Sequence, residues 1–197
     1  MTTALTQAPR TPSKTLLNFP LALDLDQLDT DIAILGVPYG LPYYPHGMAN
    51  DQSLAPDAIR QNAAYVPYTL TSYDWDLDGT LFDGRDIKVV DCGNVTADLN
   101  DHQEHYRRAE AAAQKIFASG ATLITLGGDH GIPIMRTLER DKPITLVHID
   151  AHLDWRDEIN GSTKAIRAQY DGLQKWTGSD TLSRSAFART AVPENKK

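Results

Sequence analysis

Four short runs of aliphatic and β-branched residues punctuate the chain, at residues 31–37 (DIAILGV), 86–93 (DIKVVDCG), 121–126 (ATLITL) and 144–149 (ITLVHI). Helix-length segments separate them, which is the pattern of parallel strands joined by crossover helices. Helices are predicted near 56–64, 102–119 and 131–140. The first opens on Pro56, which the first turn of a helix accepts, and Ala58, Ile59 and Ala63 would form its apolar face. In the second, Tyr106, Ala109, Ala113, Ile116 and Phe117 fall on one face, with Asp101 as cap and Gly120 as stop. The expected fold is a three-layer α/β domain with a mostly parallel sheet, its strands near 31–37, 86–92, 122–126 and 144–149.

Between these elements the chain is punctuated by turn-forming residues. Residues 1–20 are rich in Thr, Ser and Pro and are expected to form a flexible arm, packing if anywhere through Leu16, Leu17 and Phe19. Residues 39–53 make a long loop with two Pro and three Tyr. Its His46 is a lone loop histidine, more often solvated or packed than a ligand. Within residues 66–84 the alternating Asp74, Asp76 and Asp78 suggest a calcium loop, but its central Gly and terminal Glu are missing, so a surface turn or short hairpin is expected. His102 and His105 lie three apart on a helix flanked by charge, where a solvated face is expected in preference to a metal site.

Chemistry-bearing residues gather where two apolar runs end. Residues 121–126 lead into Gly127, Gly128, Asp129 and His130, and residues 144–149 into Asp150, Ala151, His152, Leu153 and Asp154. In parallel sheets, sites lie at the carboxyl ends of the strands. Asp150, His152 and Asp154 stand at i, i+2 and i+4, so in extended chain they project to one side. Two carboxylates and an imidazole make a metal site suited to Mn²⁺, Zn²⁺, Fe²⁺ or Ni²⁺, and His130 could supply a fourth ligand. Any one of these residues alone would be read as a turn cap. Four at two adjacent strand ends point to metal.

Composition narrows the function classes. The 197 residues suit a single domain, with hydrophobic and charged fractions of 41% and 23%, as in ordinary globular proteins. A net charge of −7 argues against nucleic-acid binding and favours a cationic substrate. The single cysteine, Cys92, excludes an intrachain disulfide and fits a reducing compartment. No basic partner for it is near in sequence, so a buried core thiol is expected. No apolar run is long enough to span a membrane, and the N-terminus lacks the apolar core of a secretory signal, so a cytoplasmic protein is expected.

The GGDH of residues 127–130, followed about twenty residues later by DAHLD (150–154), resembles the ureohydrolase family of arginases, agmatinases and guanidinobutyrases. GVP (36–38) followed by APDAIR (55–60), and the strand ending in DCG (91–93), match it too. The resemblance covers roughly residues 31–161 and lies on the agmatinase-like side. It implies the strand order, an oligomeric form and a binuclear centre, usually manganese, with nickel an alternative. Asp150 would bridge the two ions, His130 and Asp154 would serve one, and His152 the other. Asp129 would be a buried supporting carboxylate beside Gly127 and Gly128. The implied reaction cleaves a guanidino compound, such as agmatine or guanidinobutyrate, to urea and an amine. A guanidinium carbon is a poor electrophile, so attack requires hydroxide at neutral pH. Metal lowers the pKa of bound water toward about 7, and Asp154 would orient that hydroxide as the catalytic residue. Asp157 and Asn160, just past the ligands, are placed to touch substrate.

After Gly161 the resemblance stops. Residues 161–197 hold seven Lys and Arg against three Asp and Glu, without clear strand or sustained helical period, and are expected to be an atypical, disordered or frame-shifted basic tail. The core α/β domain would then be residues 21–160. A second Asp-x-Asp strand end, a late glutamate and any histidine after His152 are missing from the pattern. The expected fold is thus incomplete at its C-terminal side. The chain by itself is expected to hold metal weakly and to release no measurable urea. The alternative to an active amidinohydrolase is a truncated, non-catalytic member that is unstable or associates with complete subunits.

Overall fold

The computed structural model describes residues 9–40, 51–63, 70–97 and 102–128. The chain divides into two units, Met1–Thr137 and Leu138–Lys197, and all the described residues belong to the first. The predicted strand at 144–149, the helix at 131–140 and the tail at 161–197 lie outside the described residues.

Among the described residues three parallel strands form a sheet: β1 (Ile32–Val37), β2 (Val89–Asn94) and β3 (Thr122–Gly127), in the order β2-β1-β3. Two helices complete the alternation, α1 (Ala55–Ala63) between β1 and β2, and α2 (His102–Ala118) between β2 and β3. Each falls within a few residues of its sequence expectation. The central β1 reads IAILGV and is buried from Ala33 to Val37, as a strand covered on both faces must be.

Alternation along β1 assigns the two faces. Ala33, Leu35 and Val37 join Cys92, Val95, Ala121 and the Ala109, Ala112 and Ile116 stripe of α2 in one apolar core. Gly36 points to the other face, where a Cβ would meet the Arg60 guanidinium of α1 at 2.9 Å. Helices on both faces of a parallel sheet make the α/β sandwich expected from the pattern. Gly120 takes φ +84° and its N–H bonds the Phe117 carbonyl at 3.0 Å, ending α2 as predicted.

The face of α1 differs from expectation. Pro56 and Arg60 are its buried residues, while Ala58 is exposed and Ile59 is 42% exposed. The helix is turned by a polar attachment, since Arg60 finds its partners inside the sheet. Cys92 is buried as expected, and burial pushes its thiol up to about 12.

Described residues of the N-terminal segment run beside β2. Arg10 and Asn94 exchange backbone hydrogen bonds of 2.6 and 2.9 Å, Asp91 N–H donates to Pro20 and Ala22 N–H to Asp91. The acidic stretch after residue 70 contains the short hairpin expected there. Asp74 and Gly79 exchange backbone bonds of 2.7 and 3.2 Å, and the Asp74 carboxylate accepts from the N–H groups of Asp76 and Leu77 inside the turn.

Candidate metal centre at the strand ends

All three strands run the same way, so their carboxyl ends share one edge of the sheet. β1 ends at Val37, directly paired with Gly127 of β3, and Gly36 pairs with Asn94 at the end of β2. From this edge the chain leaves β1 through Pro38 and Tyr39, and leaves β3 through Gly128.

Gly128 sits where three segments meet. A Cβ there would overlap the Tyr39 carbonyl oxygen and lie only 2.8 Å from the Tyr39 carbonyl carbon and 2.9 Å from the Gln52 carbonyl oxygen. Only glycine lets the backbones approach this closely. Tyr39 is itself fixed. Its N–H bonds the Val37 carbonyl at 2.9 Å, and its buried ring stacks on His105 with centroids 4.9 Å apart and planes at 17°. Tyr106 leans on the same ring at 5.1 Å and 59°.

His105 is a correction to the sequence reading, which put it on a solvated face. It is fully buried, one helical turn before Ala109 on the core-facing stripe of α2. The charged neighbours that suggested exposure, Glu104, Arg107 and Arg108, form ion pairs with one another elsewhere on the helix surface.

A second polar cluster went unread in the sequence. The Arg60 guanidinium, fully buried, donates from Nε to Asp91 Oδ2 at 2.8 Å and from Nη2 to Asp91 Oδ1 at 2.9 Å. Its Nη1 reaches Asn94 Oδ1 at 2.5 Å, and Nη2 also reaches the Gly93 carbonyl at 3.0 Å. The signal was available. Asp91 and Asn94 interrupt a strand that is otherwise buried, and buried polar side chains require partners.

Of the predicted site residues, Gly127 and Gly128 are placed by the structure at the carboxyl end of β3. His130, Asp150, His152, Asp154, Asp129, Asp157 and Asn160 lie outside the described residues, as does His46. Among the described residues no group of three or more His, Cys, Asp or Glu could hold a metal ion. None of their helices is long and apolar enough to cross a membrane.

Comparison with known proteins agrees with a sheet of this kind. The profile of the arginase family matches residues 30–171, so the chain belongs to the arginase family, in which it is an agmatinase-like member. The match runs past Gly161, beyond the extent read from the sequence. An agmatinase of Photorhabdus laumondii is 33% identical over 141 residues, covering 70% of this chain and 44% of that protein. The chain thus spans less than half the length of this curated relative. The crystal structure of a hypothetical agmatinase from Burkholderia thailandensis superposes with a TM-score of 0.63 at 27% identity, covering 83% of this chain and 50% of that one. A Trypanosoma cruzi formiminoglutamase solved with Mn²⁺ shares the fold, with a TM-score of 0.57 at 23% identity over 82% of this chain and 52% of that one.

Proposed function

We propose that the protein serves as a metal-dependent amidinohydrolase, cleaving a small guanidino compound such as agmatine or guanidinobutyrate to urea and an amine. The observation that supports this most is the placement of Gly127, paired with Val37, and the close packing of Gly128 at the carboxyl edge of the sheet, immediately before Asp129 and His130 in sequence, in a chain whose relatives are agmatinases. His130, Asp150, His152 and Asp154 would hold the metal. Their imidazole and carboxylate donors fit Mn²⁺, the ion in the formiminoglutamase structure, and would also accept Ni²⁺. When bound, such an ion lowers the pKa of the water it holds.

The chain's own residues supply orientation and attraction. Asp154 would accept a hydrogen bond from the attacking water and aim it, with Asp129 as a buried support. Asp157 and Asn160 would meet the guanidino group, and the net negative charge favours arrival of a cationic substrate. We place the protein in the cytoplasm, where the single buried Cys92 stays reduced, and as a subunit of a homo-oligomer. Residues 1–20 are assigned as an arm, 21–160 as the catalytic-type α/β domain and 161–197 as a basic tail.

The second reading is a non-catalytic member of the family that associates with other subunits; the basic character of residues 161–197, with seven Lys and Arg against three Asp and Glu, is the feature that favours it. Urea release from agmatine, guanidinobutyrate and arginine, with Mn²⁺ and with chelator, separates the two. Urea that appears with Mn²⁺ and disappears on chelation supports the enzyme. Absence of urea with Mn²⁺ present overturns the enzyme and supports the non-catalytic member, whether or not the ion binds.

A further inference from the structure

We propose that residues 10–22 form a releasable cap on the outer edge of β2, and that this edge, once uncapped, pairs with β2 of a second copy of the chain. The inference is independent of the metal site proposed above.

β2 stands at one end of the described sheet, and the N-terminal segment lies along its side away from β1. It touches the edge twice. Asp91 N–H donates to the Pro20 carbonyl at 2.8 Å and the Asp91 carbonyl accepts from Ala22 N–H at 2.9 Å, in a parallel bridge. Arg10 and Asn94 form the second touch, an antiparallel bridge. Between the two the chain turns back through Leu17 and Asn18, whose φ angles of +49° and +61° lie in the left-handed region. Leucine is disfavoured there, so the turn persists only while both its ends are held. The Asp91 carboxylate takes the Leu16 N–H at 2.8 Å inside the turn. Gly93, at φ +73°, leaves the space the segment needs: a Cβ would overlap the Arg10 carbonyl oxygen and lie 2.9 Å from Leu23 Cδ2.

These attachments are backbone hydrogen bonds more than core packing. Of residues 10–22 only Pro12 is buried, whereas Leu25, just past the segment, belongs to the apolar core. The segment can therefore leave while the core stays closed. An edge whose backbone groups lose their partners is a template for another strand. Identical edges related by a twofold axis pair antiparallel and satisfy each other equally, which makes a second copy the favoured occupant. Arg60 already neutralises Asp91 within each sheet, so two such edges bring no unpaired Asp91 charge together.

The test uses the full 197-residue chain carrying Leu16→Pro together with Ala22→Pro. Each substitution removes one N–H donor to Asp91, and Thr15, at ψ 156°, already has the extended conformation that a following proline requires. Hydrogen exchange compares the Arg10 amide, bonded to the Asn94 carbonyl, with residues 32–36 of β1. Sedimentation velocity over a concentration series gives the particle mass. Exchange at Arg10 is expected to quicken by about tenfold or more for two lost hydrogen bonds, with β1 unchanged. The particle mass is expected to rise about twofold above that of the parent chain. A synthetic peptide of residues 9–24 refills the edge and returns the mass to the parent's. If the double variant loses protection throughout β1, Gly93→Ala replaces it, because its methyl group evicts Arg10 while every donor of the segment stays in place. Unchanged exchange at Arg10, a mass equal to the parent's, or association of the double variant that the peptide leaves intact overturns the proposal. Loss of β1 protection in both variants overturns it too, since the segment would then be part of the core and not a cap.

Discussion

Arg60 shows how much one side chain can organise. Its buried guanidinium forms a two-point ion pair with Asp91, whose carboxylate also accepts from the N–H groups of Leu16 and Gly93 at 2.8 and 2.9 Å. One carboxylate therefore ties together the N-terminal segment, α1 and β2. The lack of a Cβ at Gly36 makes room for the Arg60 and Asn94 side chains. Arg60→Ala would leave the Asp91 charge buried without its counter-ion, a loss of about 3–5 kcal/mol. Equilibrium unfolding in urea should show a fall of that size, and a change below about 1 kcal/mol would mean that water or rearrangement compensates Asp91. Nothing local to APDAIR announces this partner, which lies 31 residues away. The hydrophobic pattern therefore suggested Ala58 and Ile59 as the buried face, whereas the ion pair turns the helix toward Arg60.

At the scale of elements, the strands and α2 were legible because their signals are local. Continuous apolar runs mark the strands, of which β1 is buried on both faces while β3 leaves Ile124 42% exposed, and an alanine-rich stripe with a glycine stop marks the helix. His105 was not legible, because neighbours in sequence on a helix point about 100° apart and their charge says little about its surroundings. Glu104 illustrates the contrast. It accepts bonds from Arg107 Nε and Nη2, both at 2.7 Å, and from Arg108 Nε at 2.8 Å. The hydrogen bonds from Arg107 first, then Arg108, lower its carboxyl pKa to about 2. Because the folded pKa is depressed, the stabilisation is fully present above the ordinary value of 4.5 and is lost as pH falls through about 2. Glu104→Gln should lose less melting temperature than wild type on acidification across that window, as followed by circular dichroism. Parallel curves for the two proteins would show that these bonds do not survive in solution.

For the whole molecule, the pairing of GGDH with DAHLD told more than any periodicity, because it pointed to the family that the profile match over residues 30–171 bears out. A few residues at fixed spacing can mark a family, while the packing around them cannot be read from the same residues. Gly128 is an example. Its identity is visible in the sequence, but the reason for it, the backbones of Tyr39 and Gln52, comes from segments far away along the chain. The central proposal is that His130, Asp150, His152 and Asp154 are ligands of a divalent metal ion. Calorimetric titration of the 197-residue chain with Mn²⁺, beside the Asp150→Ala variant, tests it most directly. Saturable binding in the parent chain that vanishes in the variant is the expected result, and binding of unchanged strength in Asp150→Ala would contradict it.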